Sequence, residues 1–265
     1  MSGFGLPALE SPAISPSMSF ANTLTLQSQV TLNTGYQMPL LGFGTVGLGN
    51  AEEACSEAIK IGYRHLDSAI FYRNEYAVAQ AAEKCESGWD SIFLTTKIPS
   101  SENGEKSLER SLSHTSGKPW DLVLLHEPLG GRRARHEAYK VLAEAQKNGK
   151  VKSIGVSNFS ERHLKELEEA NVGPIPAVNQ GQRMSDETVS KIATKVNKTV
   201  AQVLLRWSLQ KGFVPLPKST KPNHMKDNAN IFDFELSDHD MKELDNLEMG
   251  KEGSVAWTAQ CLEAE

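Results

Sequence analysis

Short apolar runs alternate with amphipathic segments along the chain from Leu40 onward. The apolar runs predict strands at residues 40–45, 64–67, 91–97, 121–126, 152–157 and 176–180. The segments between them predict helices at residues 50–61, 74–86, 101–113, 132–148 and 160–170. Strands that are apolar almost throughout are typical of a sheet covered by helices on both faces. The repeated rhythm therefore predicts a parallel α/β sheet, either a TIM-type barrel or a doubly wound fold.

The segment GFGTVGLG at residues 42–49 tests the doubly wound alternative. A dinucleotide fingerprint needs G-x-G-x-x-G between the first strand and its helix, with an acidic residue ending the next strand. Gly42 and Gly44 supply the first two glycines, but the helix begins only after Gly49. The acidic residue at the right distance is Asp67, which also belongs to a group of polar residues at strand ends. The glycines therefore give only weak support to a doubly wound fold.

Polar side chains stand at the ends of five successive predicted strands, namely Asp67, Lys97, His126, Ser157-Asn158 and Asn179-Gln180. Taken singly, each has an ordinary structural interpretation: Asp67 as a helix cap, Lys97 as a solvated strand end, His126 as a core histidine. In a barrel, however, the carboxyl ends of all strands meet at one mouth, where catalytic residues lie. The joint arrangement favours a TIM-type (β/α)8 barrel.

Composition excludes several classes of protein. The chain has 265 residues, of which 39% are hydrophobic and 23% charged, with a net charge of −5 and no cluster of Lys and Arg. Nucleic acid and anionic membranes are therefore not expected as partners, and no apolar run is long enough to span a membrane. Three widely separated cysteines, Cys55, Cys85 and Cys261, are expected of a cytoplasmic protein.

Three regions are predicted along the chain. The Ser- and Pro-rich residues 1–27 are expected to form a disordered leader, because their composition does not support a packed core. Residues 28–250 are expected to form the barrel, and residues 251–265 a C-terminal tail.

Several motifs, in order along the chain, resemble the aldo-keto reductase family. They are GYRHLDSAIFYRNE (62–75), TTKIP (95–99), DLVLLHEP (121–128), IGVSNF (154–159), LRWSLQKGFVPLPKS (205–219) and FDFELSDHDMKELDNL (232–247). The segment VTLNTGYQMP (30–39) is similar to the β-hairpin that plugs the bottom of the family's barrel. The resemblance implies a monomer that reduces a small-molecule aldehyde or ketone with NADPH, without a metal.

The resemblance implies a catalytic tetrad of Asp67, Tyr72, Lys97 and His126. Tyr72 would donate a proton to the carbonyl oxygen, although a free phenol, with a pKa of about 10, is a reluctant acid. Lys97 would lower the pKa of Tyr72, and Asp67 would hold Lys97 charged and in place. His126, as a neutral donor, would orient the carbonyl and stabilise developing negative charge.

The resemblance also implies residues for the nicotinamide end of the cofactor. Ser157, Asn158 and Gln180 would bind the carboxamide and so fix the face of the ring that is presented. Thr45 would lie near the nicotinamide ribose.

At the adenine end, the resemblance implies that Lys218 and Ser219 bind the 2′-phosphate and that Asp227 and Asn228 contact the adenine. His224 stands where the family has an arginine that stacks on the adenine and pairs with the phosphate. An imidazole lacks the bidentate fork of a guanidinium and is weakly charged at neutral pH. The sequence therefore leaves the choice between NADPH and NADH open.

Two other departures concern the substrate mouth. Val46 and Glu127 stand where the family usually has aromatic residues. They predict a less aromatic mouth that is more polar at Glu127, without identifying the substrate.

One α-β unit of the family's pattern is absent after Gln180. In the family this strand leads into a loop, a helix and a strand ending in a Tyr-Ser-Pro-like motif, whereas here Gln180 is followed directly by Gly181. Eight units in about 250 residues give roughly 30 residues for the absent unit. Together with residues 213–217 as the last strand, the sequence predicts an incomplete barrel of about seven strands. The chain is then an active reductase, an impaired relative acting as a binding or regulatory protein, or a splice or gene-model variant of an active enzyme.

Overall fold

A computed structural model describes residues 24–180 and 187–247. Its strands are β1 (Gln29–Thr31), β2 (Gln37–Pro39), β3 (Phe43–Gly44), β4 (His65–Asp67), β5 (Phe93–Ile98), β6 (Trp120–Leu125), β7 (Val151–Ser157) and β8 (Asn179–Gln180). Its α-helices are α1 (Ala51–Ile61), α2 (Glu75–Glu83), α3 (Gly104–Ser113), α4 (Gly131–Lys147), α5 (Glu161–Ala170), α6 (Glu187–Lys195), α7 (Val200–Gln210), α8 (Pro222–Ala229) and α9 (Asp238–Asp245). Short 3₁₀ helices cover Ile70–Tyr72 and Trp89–Ser91.

The strands form two sheets. β1 and β2 pair antiparallel, with Val30 opposite Met38, as expected for the N-terminal hairpin. β3 to β8 form a parallel sheet in chain order, and it is curled like part of a barrel. Helices α1 to α5 connect its successive strands, and the 3₁₀ helix that contains Tyr72 precedes α2 in the connection from β4 to β5. The strand–helix alternation predicted from the sequence is therefore confirmed for β3 to β8.

Helix ends follow from local side-chain chemistry. Asn50 caps α1 by accepting a hydrogen bond from the amide of Glu53, and α1 stops at Gly62, whose φ of 119° favours glycine. Ser160 and His163 form a capping box at the start of α5. These caps explain why the predicted bounds of both helices lie within one residue of those in the structure.

The main core lies between the sheet and the helices. Tyr63, Trp120 and Tyr139 are almost completely buried in it, together with the apolar faces of α1, α2 and α4. A second apolar cluster joins α6, α7 and α9 around Val203 and Trp207. None of the helices in the described ranges is long and apolar enough to span a membrane.

The predicted strand at residues 213–217 is the main difference from the sequence-based expectation. Its carbonyls at Pro215 and Pro217 accept hydrogen bonds from the amides of Gly42 (3.1 Å) and Gly44 (2.9 Å), so it lies along β3. It is not a regular strand, because two prolines lack the donors that a ladder needs. Over the described residues the parallel sheet therefore has six strands rather than about seven.

The β8 edge of this sheet is more exposed than the rest of it. Asn179 on β8 is exposed and Ile175 before it is 71% exposed, whereas β3, β5 and β6 are buried at every position. Gly181 at the predicted join, residues 1–23 of the predicted leader and the predicted tail lie outside the described residues. At residues 24–27 the chain already contacts α1, since Gln27 donates to the carbonyl of Gly62 at 3.1 Å.

Gly155 on β7 allows the close approach of the chain that leads into β8. A Cβ at this position would lie 2.5 Å from the carbonyl oxygen of Val178 and 2.8 Å from Leu124. Because a backbone atom is the obstacle, we expect Gly155→Ala to lower the free energy of unfolding by about 1–3 kcal/mol. Urea denaturation checks this value.

Gly49→Ala is the matched control, because a Cβ at Gly49 would meet no atom within 4 Å. Its stability should be unchanged or slightly higher. If the two variants were equally stable, the segment around Val178 would not pack on β7 as the structure has it.

Candidate active site

The carboxyl ends of the parallel strands bring the predicted polar residues together. Asp67 ends β4, Lys97 lies near the end of β5, and His126 directly follows β6. All three side chains are buried, with exposed fractions of 5% or less. Tyr72, on the 3₁₀ helix after β4, completes the group and is half-buried. The clustering of these four residues was predicted from the strand pattern and the resemblance.

Lys97 and Asp67 form a buried ion pair at the base of the group. The Lys97 Nζ lies 2.6 Å from Asp67 Oδ1 and also donates to the carbonyl of Ser68 at 2.8 Å. Burial lowers the pKa of Lys97, and the attraction of Asp67 opposes this effect. Burial also raises the pKa of Asp67, and Lys97 opposes that shift. Each charge therefore depends on the other to remain in the low-dielectric interior.

The ring of Tyr72 lies over this pair and beside His126. Lys97 Nζ is 5.1 Å from the centroid of the Tyr72 ring. The rings of Tyr72 and His126 are nearly perpendicular, with centroids 5.6 Å apart. Burial and the negative charge of Asp67 raise the pKa of the Tyr72 phenol. In the resting site these two effects act against the lowering of the Tyr72 pKa that is expected from Lys97.

His126 is neutral at physiological pH. Burial, and then the positive charge of Lys97, lower the pKa of its imidazole to about 3. Phe71 stacks on the imidazole with centroids 5.4 Å apart and an interplanar angle of 29°. A neutral imidazole next to a phenol suits the donor role that the resemblance implies.

A hydrogen-bonded frame beneath Asp67 was not identified from the sequence as part of the site. Thr45 donates to the carbonyl of Asp67 through both its amide (3.0 Å) and its hydroxyl (2.9 Å). Asn74 donates to the carbonyl of Thr45 and accepts from the hydroxyl of Ser68. Thr45 is completely buried, so in this geometry it joins β3 to β4 rather than presenting its hydroxyl to a ribose. Asn74 lies in the quoted motif YRNE, which was the available signal.

The residues predicted for the nicotinamide carboxamide lie side by side at the ends of β7 and β8. Asn158, in the left-handed region with a φ of 61°, donates from its amide to the carbonyl of Gln180 at 2.7 Å. Its side chain donates to the carbonyl of His126 (2.9 Å) and to Ser157 Oγ (3.0 Å). The Gln180 amide reaches Asp67 Oδ2 at 3.4 Å. These amide and hydroxyl groups border the tetrad and fit a carboxamide.

The residues predicted for the adenine end lie on the segment leading into α8. Lys218 is exposed and donates to the carbonyl of Val46 at 3.0 Å, and His224 is exposed in the first turn of α8. Ser219 Oγ accepts from the amide of Lys221 at 3.0 Å. An exposed lysine close to the N-terminus of a helix fits a phosphate.

The other two residues predicted for the adenine end lie later in α8. Asp227 is exposed and Asn228 is buried, so of these two residues only Asp227 is accessible to a ligand from solvent. The carbonyl of Asp227 accepts from Gln202 Nε2 at 3.0 Å, which fixes α8 against α7.

Glu127 does not make the substrate mouth more polar, so that prediction is wrong. Its side chain is 1% exposed and accepts hydrogen bonds from the amide and hydroxyl of Ser100 (3.1 and 2.7 Å) and from the hydroxyl of Ser101 (3.2 Å). Burial raises the pKa of Glu127, and these hydrogen bonds oppose the shift. Glu127 therefore joins the loops after β5 and β6.

Comparisons with known proteins show which proteins this chain resembles. The chain matches the model of the Aldo/keto reductase family over residues 40–184 and 171–249. It is 34% identical to a glyoxal reductase of Bacillus subtilis, with 84% of this chain and 94% of the relative covered. Among solved structures it resembles an aldo/keto reductase from Brucella melitensis (TM-score 0.76, 33% identity, covering 83% of this chain and 99% of that one). It also resembles MGS-M4, an aldo-keto reductase from a deep-sea metagenome (TM-score 0.78, 31% identity, covering 84% and 96%).

The family match is divided into two pieces. They overlap at residues 171–184, which contain the join between Gln180 and Gly181. The alignment with the Bacillus subtilis protein extends over 260 positions but takes up 84% of the 265 residues, or about 223 residues. The difference between 260 and 223 leaves roughly 37 positions of that alignment without a counterpart in this chain.

Proposed function

This chain belongs to the aldo/keto reductase family, and we propose that it reduces a small aldehyde or ketone to the alcohol, with NADPH as the cofactor and Tyr72 as the proton donor. The observation that carries the proposal is the buried Lys97–Asp67 pair lying under Tyr72, with a neutral His126 beside the phenol. This arrangement supplies a proton, a neutral hydrogen-bond donor and a fixed positive charge at one point.

Each residue of the tetrad has a defined task in the proposed reaction. A bound nicotinamide supplies the hydride that the carbonyl carbon accepts. His126 donates a hydrogen bond to the carbonyl oxygen and stabilises the negative charge that develops there. Tyr72 transfers its proton to that oxygen, and the raised pKa of the phenol keeps this proton in place until an alkoxide forms. Lys97 stabilises the phenolate that remains, while Asp67 keeps Lys97 protonated and in position.

The proposed cofactor contacts are supported by the chemistry of the residues at both ends of the site. At the nicotinamide end, Ser157, Asn158 and Gln180 offer the donors and acceptors that a carboxamide requires. At the other end, Lys218 offers positive charge for a 2′-phosphate, while Ser219 adds a hydroxyl and His224 an imidazole ring.

We expect Lys218→Ala to raise KM for NADPH about tenfold and to leave KM for NADH nearly unchanged, because only NADPH carries a 2′-phosphate. Steady-state kinetics with each cofactor measures the two constants. Lys226→Ala, which removes an exposed lysine from the last turn of α8, is the matched control and should change neither constant. Equal losses with both cofactors would show that Lys218 does not contact the 2′-phosphate.

The proposed function is tested by cofactor binding and turnover in the purified protein. NADPH fluorescence measured during titration gives the binding constant, and oxidation of NADPH with a panel of aldehydes and ketones gives the activity. An absence of binding at near-millimolar NADPH would refute the reductase function for this chain.

We also propose that one α-β unit of the family is absent between Gln180 and Gly181. The two-piece family match, the alignment positions without a counterpart and the exposed edge at β8 support this proposal. In the family, the strand of that unit carries the tyrosine that stacks under the nicotinamide. Losing a stacking platform costs on the order of 1–3 kcal/mol in related settings, so NADPH should bind about 10- to 100-fold more weakly than to a complete relative.

The absent unit supports a second candidate function, namely an impaired relative that acts as a binding or regulatory protein. NADPH binding without turnover of any carbonyl compound would favour that function. The intact mass of the protein from its native source tests whether the 265-residue chain is what the cell makes. A mass larger by about 30 residues would identify this sequence as a splice or gene-model variant.

A further inference from the structure

Glu75 carries a buried carboxylate that the proposed reaction does not use. It lies in the first turn of α2, with 2% of the residue exposed. Its Oε1 accepts hydrogen bonds from Thr96 Oγ1 and Ser111 Oγ, each at 2.5 Å, and its Oε2 lies 3.2 Å from His114 Nδ1. The carboxylate therefore joins three elements, α2, β5 and the end of α3, at a point behind the sheet.

Glu75 lies close to the tetrad through β5. Thr96 precedes Lys97 in the strand, and because side chains alternate along a strand, the two point to opposite faces of the sheet. Glu75 thus holds β5 from the helix side, whereas Asp67 holds Lys97 from the barrel side. Burial lowers the pKa of Lys97, and the negative charges of Asp67 and, more weakly, of Glu75 oppose this shift.

The other titratable groups around Lys97 carry no negative charge that could stabilise its ammonium. His126 is neutral, since burial and the charge of Lys97 lower the pKa of its imidazole to about 3. The Tyr72 phenol, whose ring lies 5.1 Å from Lys97 Nζ, remains protonated because its pKa is raised. His65 on β4 is also kept neutral by burial and by Lys97. Asp67 and Glu75 are therefore the carboxylates that stabilise the ammonium.

We propose that Glu75 is a positioning residue of the reductase site, whose buried carboxylate fixes β5 between α2 and α3 and helps to keep the Lys97 ammonium charged. The catalytic importance of Glu75 rests on the proposed function, whereas its effect on the charge of Lys97 does not. A purely structural role for Glu75 requires only its hydrogen bonds, whereas the positioning role requires its charge.

The test is an NMR titration of Lys97 in wild type and Glu75→Gln, with lysine labelled with ¹³C at Cε and Lys97 assigned from its absence in Lys97→Arg. The amide of Gln retains an acceptor for Thr96 and Ser111 but removes the charge. We expect Lys97 to lose its proton at a pH lower by about 0.5 unit or more. If the Lys97 resonance followed the same curve in both proteins over the range in which they are folded, the proposal would be overturned.

Glu83→Gln is the matched control, because it makes the same change on the exposed side of α2, where Glu83 pairs with Lys118. It should leave the Lys97 curve unchanged, and so should Ser111→Ala, which removes one hydrogen bond to Glu75 but not its charge. Glu75→Asp, which keeps the charge, should restore most of the shift. A Glu75→Gln protein that did not fold, or a shift equally large in Ser111→Ala, would show a structural role and overturn the proposal.

Activity separates this inference from the proposed function. In an active protein, Glu75→Gln should move the alkaline limb of the pH profile of kcat to lower pH and leave KM for NADPH unchanged. A shifted Lys97 curve without turnover in wild type would support the role of Glu75 and refute the reductase function. An unshifted Lys97 curve in an active enzyme would refute the role of Glu75 and support the reductase function.

Discussion

Tyr72→Phe should lower kcat for carbonyl reduction by at least about 10³-fold, because the proposed proton donor is lost while the ring remains. The phenylalanine can occupy the same space over Lys97 and beside His126, so the fold and the substrate mouth should be retained. NADPH binding should stay within about twofold of wild type, since the phenol is not among the proposed cofactor contacts. Steady-state oxidation of NADPH and a fluorescence titration measure the two quantities.

Tyr76→Phe is the control for this substitution. Tyr76 lies four residues further on, is 60% exposed and lies outside the tetrad. It should have the kinetic constants of wild type. If Tyr72→Phe retained more than about a tenth of the wild-type kcat, another group would have to donate the proton, since general acid catalysis contributes 10²–10⁴-fold.

Asp67→Ala should lower the free energy of unfolding by about 3–5 kcal/mol at neutral pH, because it leaves the ammonium of Lys97 buried without its partner. The loss should become smaller as the pH rises. Without Asp67 the pKa of Lys97 falls further, so the unfolded variant binds more protons than the folded variant between the two pKa values of Lys97. Stability of the variant relative to wild type therefore increases with pH across that window. Urea denaturation at a series of pH values above 7 checks both statements.

Glu52→Ala is the control for the loss of an ion pair. Glu52 contacts Lys84 on the surface, where both side chains are at least 38% exposed, and the expected change is below about 1 kcal/mol. A loss of similar size in both variants, or one that did not depend on pH in Asp67→Ala, would show that the charge of Lys97 is not the cause.

Much of the site could be predicted because strand ends are visible in the sequence. Asp67, Lys97 and His126 each follow an apolar run, and parallel strands must bring such positions to one edge. The directions in which the surrounding side chains point could not be predicted from the sequence. Thr45 and Glu127 were placed at the cofactor and substrate, yet both are buried in hydrogen bonds that join neighbouring strands or loops. A sequence does not indicate which of two neighbouring surfaces a polar side chain will face.

The electrostatics of the tetrad also depend partly on residue types, which the sequence shows, and partly on contacts, which only the structure shows. The resemblance implied that Lys97 acidifies Tyr72, and the residue types alone agree with that. The structure buries the phenol and brings Asp67 to 2.6 Å from Lys97. Burial, and then the negative charge of Asp67, raise the pKa of Tyr72 and so oppose the effect expected from Lys97. Similarly, Glu75 is an ordinary N-terminal helix residue in sequence and becomes part of the site only through contacts with Thr96 and Ser111.

The sequence by itself determined the family, the order of the strands and the group of residues that lie at their carboxyl ends, because these depend on local periodicity and on motifs. The motifs on either side of Gln180 and Gly181 also predict that an α-β unit is absent there. Only the tertiary structure decided that residues 213–217 lie along β3 without forming a regular strand, and that the curled sheet has an exposed edge at β8. The reason is physical: hydrogen-bond partners, burial and the charge state of a side chain depend on residues far away in the chain, which come together only on folding.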